Sequence, residues 1–120
     1  MTALQGVVAF NEERNLTDFD PLNEHNMLLE ELQEFAHAGA CEQEYETVDA
    51  LCDIIVVAAG GLHKLGYNPE DALLETVKEI RSRKGEVNTE TGKWEKDRNQ
   101  DPATLYKAVY TDRDGLVAVS

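Results

Sequence analysis

The sequence predicts an all-α protein, a bundle of about four helices with a core completed by oligomerisation and an irregular C-terminal segment. Apolar residues recur at helical spacing, as in Leu28, Leu32 and Phe35 at i, i+4 and i+7. Helix start and stop residues frame those stretches, most plainly Asn68-Pro69 and Gly66. No credible run of alternating apolar and polar residues argues for a sheet. The chain accordingly reads as a helical core over residues 1–85 and a C-terminal extension over 86–120, the extension packed on the core or on a neighbouring subunit.

The first helix is expected over Leu4–Asn15, with Val7, Val8 and Phe10 as its apolar residues. Thr17–Pro21 reads as a loop. A second helix should run from Leu22 to about Ala38, where Gly39 is placed to end it. A third should span about Glu42 to Leu65. Its centre, Ala50–Ala59, is apolar nearly all round except at Asp53, the pattern of a helix packed on several sides. Asn68 as N-cap, Pro69 in the first turn and the acids Glu70 and Asp71 announce a fourth helix, ending near Gly85. Leu73, Val77 and Ile80 form its core stripe. Beyond it, Asn88–Gly92 reads as a turn between two short extended pieces, Pro102–Val109 as a short helix carrying Tyr106, and the residues from Asp112 as a loose tail.

Composition narrows the class. The chain has 120 residues and a formal net charge of −13, which argues against nucleic acid or an anionic membrane as a partner. The longest apolar run, Ile54–Leu62, is half of what a membrane span needs, and Met1–Phe10 lacks the pattern of a signal peptide, so a cytoplasmic protein is expected. Cys41 and Cys52 have no CxxC spacing and read as two buried or half-buried thiols. A long apolar third helix in so short a chain predicts a homodimer or homotetramer, with sites near subunit interfaces.

Charge placement says more than its sum. Residues 1–60 contain thirteen Asp and Glu against one base, Arg14, while Lys78, Arg81, Arg83, Lys84, Lys93, Lys96 and Arg98 crowd a later segment. On the second helix Glu31 and Glu34 lie about 60° apart, one turn from each other, and Glu31 borders the apolar stripe. On the third, Glu46, Asp49 and Asp53 fall within about 60° of one another, and Asp53 is embedded in Leu51-Cys52-Asp53-Ile54-Ile55. A carboxylate in such a setting needs a cation or hydrogen bonds. No Lys or Arg occurs between Arg14 and Lys64. A bound metal meets the need, and oxygen ligands without His or Cys select Mg²⁺, or Mn²⁺, over zinc. Glu31, Glu34, Glu46, Asp49 and Asp53 are the candidate ligands. Glu34-Phe35-Ala36-His37 also matches the ExxH of di-iron bundles, but no second such motif accompanies it. His25, His37 and His63 are read as loop or packing residues. The competing view is a pair of solvated acidic helices.

The stretches Asn26–Glu34 and Glu46–Ile55, with Gly61–Gly66 leading into the fourth helix, resemble the MazG-like all-α nucleotide pyrophosphohydrolases, a group that includes phosphoribosyl-ATP pyrophosphohydrolase-like proteins. The likeness covers about residues 5–85, and the stretch Glu79–Asp97, with Gly92–Asp97 in it, resembles bacteriophage versions. It implies an ExxE on one helix and an ExxD on the next, holding Mg²⁺ for cleavage of a nucleoside triphosphate to monophosphate and pyrophosphate in control of nucleotide pools. Glu31 and Glu34 match the ExxE, and Glu34 is the candidate catalytic base. The second motif has two registers. Glu46–Asp49 matches ExxD literally, whereas the apolar run after Asp53 resembles the run after the family's aspartate, and there Ala50 stands where Glu is expected. Lys78, Arg83 and Lys84 are the candidate phosphate-binding bases; the alternative is that they complement the negative end of the fourth helix. A non-catalytic acidic interaction module and a phosphoribosyl-ATP pyrophosphohydrolase are the competing functions.

Overall fold

The computed structural model describes residues 1–40 and 43–119. Among them are four α-helices, the class expected, followed by short strands. The chain divides into two compact units, Met1–Glu70 and Asp71–Ser120.

The first unit holds α1 (Ala3–Glu13), α2 (Pro21–Gly39) and α3 (Glu44–Lys64). Thr2 starts α1 with a capping box: its hydroxyl accepts from the Gln5 amide while the Gln5 side chain accepts from the Thr2 amide. Asp20 caps α2 by accepting from the Leu22 N–H, which draws Pro21 out of the expected loop and into the first turn. His25 therefore lies inside α2 rather than in a loop. The expected start of α3 at Glu42, and Cys41 beside it, fall outside the described residues. At its other end α3 closes in a Schellman turn: Tyr67 N–H bonds Leu62 C=O and Gly66 N–H bonds His63 C=O. Gly66 takes φ 94°, the left-handed region that a Cβ disfavours.

α2 and α3 pack along each other, and their contacts fix the direction. Thr47 hydrogen-bonds the Ala38 carbonyl, Asp53 meets Glu31 and Glu34, and Lys64 meets Glu24. As one helix ascends the other descends, so the pair is antiparallel. α1 packs on the C-terminal half of α3, where Ala59, Gly60, Gly61 and His63 are buried. The N-terminal half differs from expectation. Ala50 is buried toward α2, but Val48, Leu51 and Ile55 stay exposed, Ile55 at 57%. Small residues let the helices approach closely, and the larger ones are left pointing outward. Leu32 of the α2 stripe is likewise exposed, and so is Cys52, contrary to the expectation of a buried thiol.

The second unit contains most of α4 (Pro69–Ser82), whose first amide after Pro69 is capped by Asn68 as predicted. α4 stops short of Gly85 because the chain turns extended there. β1 (Gly85–Val87) pairs antiparallel with β2 (Trp94–Lys96), across the predicted Asn88–Gly92 turn. Gly85 is required, since a Cβ would run into the Glu95 carbonyl and the Trp94 ring. Leu73, Val77 and Ile80, expected as a core stripe, are all exposed. The helix expected over Pro102–Val109 is only one 3₁₀ turn, Pro102–Thr104. The tail is not loose: β3 (Val109–Thr111) pairs antiparallel with β4 (Val117–Val119). Asp112 holds the connecting turn by accepting from the Asp114 and Leu116 amides. The Tyr106 hydroxyl donates to both oxygens of Glu75, at 2.7 and 2.8 Å, and the Val109 amide donates to the same carboxylate. Thr76 and Tyr110 share a second hydroxyl contact of 2.6 Å.

Candidate metal centre

The antiparallel register of α2 and α3 sets the site. It lays Asp53, midway along α3, beside the consecutive turns of α2 that carry Glu31 and Glu34. One carboxylate oxygen from each of these three residues lies within 4.8 Å of the others. Glu31 and Asp53 are half-buried and Glu34 is exposed. That combination leaves two carboxylates partly shielded and one open to solvent.

The electrostatics are unfavourable without a cation. The Glu31 carboxyl is pushed above its ordinary value, first by burial, then by the charge of Glu34 and a hydrogen bond shared with it, with Asp53 and Glu30 adding to the effect. Glu31 Oε2 is buried and has no hydrogen-bond partner. An orphaned carboxylate oxygen inside a group of acids is costly, and a cation would satisfy it. The bases of this unit are engaged elsewhere. Lys64 is 2.6 Å from Glu24 in a nearly buried pair, and the Arg14 guanidinium lies 3.9 Å over the Phe10 ring. Three oxygen donors of this kind fit a hard divalent ion.

Beside the group, and lined by Glu34 and Asp53 of its three members, lies a cleft of about 990 Å³ between the same two helices. Glu46 and Asp49, the other acids singled out in the sequence, line it with Glu34 and Asp53 but stand outside the close group of three. Of the two registers, the one through Asp53 is the one that meets Glu31 and Glu34. His37 also lines the cleft, and it is not one of the three grouped residues. Glu30, Gln33, Tyr45 and Cys52 complete the polar lining. The helical pattern alone puts Glu30 toward solvent and Cys52 inside. Their spacing of three or four residues from Glu34 and Asp49 is the signal that points to the cleft instead.

Lys78, Arg83 and Lys84 lie in the second unit. Lys78 pairs with Glu75 at 3.3 Å. Arg83 grips Glu79 one turn back through Nε and a terminal nitrogen, at 2.8 Å for the shorter contact. Lys84 lines a groove of the β1–β2 hairpin with Glu86, Glu95 and Lys96. Among the described residues no helix is long and apolar enough to cross a membrane. Comparison with protein families, with characterised proteins and with solved structures finds no match to this chain.

Proposed function

We propose that this protein is a Mg²⁺-dependent nucleotide pyrophosphohydrolase of the MazG-like kind, cleaving (deoxy)nucleoside triphosphates to monophosphate and pyrophosphate. One observation carries the proposal: three carboxylates from two antiparallel helices converge without a basic partner, one of them with a buried and unsatisfied oxygen. The sequence resemblance over residues 5–85 supplies the reaction.

In this mechanism Glu31, Asp53 and Glu34 would hold the ion. A bound Mg²⁺ supplies positive charge for phosphoryl oxygens and makes a water more acidic. Glu34, the exposed member of the group, faces the cleft and takes the proton of the attacking water. Glu46 and Asp49 bring further negative charge to the cleft wall, suited to a second cation arriving with the polyphosphate. The exposed stripe Val48, Leu51 and Ile55 on α3 supports self-association, as a dimer or tetramer.

The test is direct. The protein is incubated with Mg²⁺ and a panel of (d)NTPs, and released pyrophosphate is measured. At least one nucleotide should be turned over, and chelation or Glu34→Gln should abolish it. If no nucleotide reacts at micromolar protein, the enzymatic proposal fails and an acidic interaction module takes its place.

A further inference from the structure

Away from the acidic cleft, α1 is fastened to α3 by a buried polar cluster that the proposed reaction does not use. Asn11 and His63 are buried, at 4% and 6% exposure. Asn11 Nδ2 lies 3.3 Å from the Gly60 carbonyl oxygen and 3.2 Å from His63 Nδ1. The other ring nitrogen, Nε2, faces Glu12 Oε1 at 3.6 Å. Gly60 lies directly beneath this cluster, its Cβ position 3.6 Å from the Asn11 amide and 3.9 Å from the Val7 side chain, ordinary packing distances.

The chemistry of the amide fixes the proton. One amide atom sits between a carbonyl oxygen, which only accepts, and an imidazole nitrogen. An NH₂ group satisfies both, one hydrogen to each, provided that Nδ1 is bare. His63 is then the neutral tautomer with its proton on Nε2, toward Glu12. Adding a proton to Nδ1 removes the only arrangement that satisfies all three groups. With the amide as it stands, two donors oppose each other. With the amide turned, its oxygen opposes the oxygen of Gly60. Either way a buried bond between α1 and α3 is lost. Among the described residues, Glu12 is the carboxylate in contact with the ring. Glu12 is largely exposed, so its attraction for an imidazolium is screened by water. Glu24 of α2 is occupied by Lys64, the residue after His63 on α3.

We infer that the Asn11–His63 contact is a proton-sensitive latch: neutral His63 holds α1 on α3, and protonation releases the helix. It is a device separate from the metal centre, and it stands whether or not the enzymatic proposal does.

Imidazole ¹⁵N spectroscopy and amide hydrogen exchange on the whole chain test it. At pH 7.5 the His63 proton resides on Nε2. Between pH 7.5 and 5, after correction for intrinsic exchange rates, protection of the α1 amides falls roughly tenfold, the weight of about one buried hydrogen bond. Protection in the middle of α2 does not change with it. His63→Gln keeps an oxygen to accept from Asn11 but does not titrate, so its α1 protection is independent of pH over this range. Should that variant fail to fold, Asn11→Asp serves instead: its carboxylate welcomes the imidazolium, and the pH trend reverses. A proton on Nδ1 in the neutral form overturns the latch. So does α1 protection that ignores pH, or an unchanged trend in either variant.

Discussion

Lys64→Met removes the cation of a pair that the fold has taken almost out of water. The two side chains are 11% and 7% exposed, and the contact is 2.6 Å. Surface pairs of this kind contribute about 0–1 kcal/mol. Here the loss of Lys64 leaves the carboxylate of Glu24 buried beside Gly61 without its cation. Breaking one partner of a buried pair costs about 3–5 kcal/mol. At roughly 4 °C per kcal/mol for a chain of this size, the thermal midpoint should fall by about 12–20 °C. Urea unfolding gives the same quantity independently, as a lowered midpoint with unchanged slope. The double change Glu24→Leu with Lys64→Met removes both charges and fills the site with apolar groups. It should recover to within about 1–2 kcal/mol of the parent, the shortfall reflecting an acid lost from the first turn of α2. A Lys64→Met cost under about 1 kcal/mol would refute the reasoning, because it would make the pair an ordinary surface contact.

Other outcomes rest on the same physics. Glu31 binds its proton more tightly folded than unfolded, so without metal the fold gains stability as pH falls from its raised value toward about 4.5 and loses it as pH rises. Melting curves in chelator should show this trend, Glu31→Gln should flatten it, and Mg²⁺ at neutral pH should raise the midpoint. Glu75 behaves oppositely: the Tyr106 hydroxyl first, and the Val109 amide second, hold its carboxyl below the ordinary value. Its contribution is present above about 4.5 and lost as pH falls through the lowered value, and Tyr106→Phe should move the Glu75 carboxyl titration upward in ¹³C spectra. Ile55→Asp places a charge in the exposed α3 stripe. Light scattering should find an oligomer for the parent and a monomer for the variant; a monomeric parent removes the basis for self-association.

Local signals are legible in the sequence, and signals that depend on distant partners are not. Asn68-Pro69 and Gly66 fix helix ends through their own backbone chemistry, and both act as read. Asp53 stands out because a charge amid Leu51, Cys52, Ile54 and Ile55 needs an explanation from any viewpoint. Glu24 carries no such mark. Its partner Lys64 is forty residues away and reaches it only once α2 and α3 pair antiparallel. Asn11 is similar: on α1 it reads as one polar residue among several, and only the approach of Gly60 and His63 makes it buried. The strand β4 is hidden because Leu116–Val119 is too short for alternation to show, and its pairing depends on the Asp112 turn. The packing of α3 departs from expectation for a related reason. Apolar residues around a helix state what can be buried, and here alanine and glycine make the close approach while Leu51 and Ile55 face outward.

The central claim is that Glu31, Glu34 and Asp53 form one divalent-cation site, and Mn²⁺ binding monitored by electron paramagnetic resonance tests it most directly. The parent should bind Mn²⁺ saturably, with Mg²⁺ competing. Asp53→Asn and Glu31→Gln should each weaken binding at least about tenfold, because each removes a charged oxygen ligand from a group of three. Unchanged affinity in both variants, or no binding at millimolar Mn²⁺, would contradict the account.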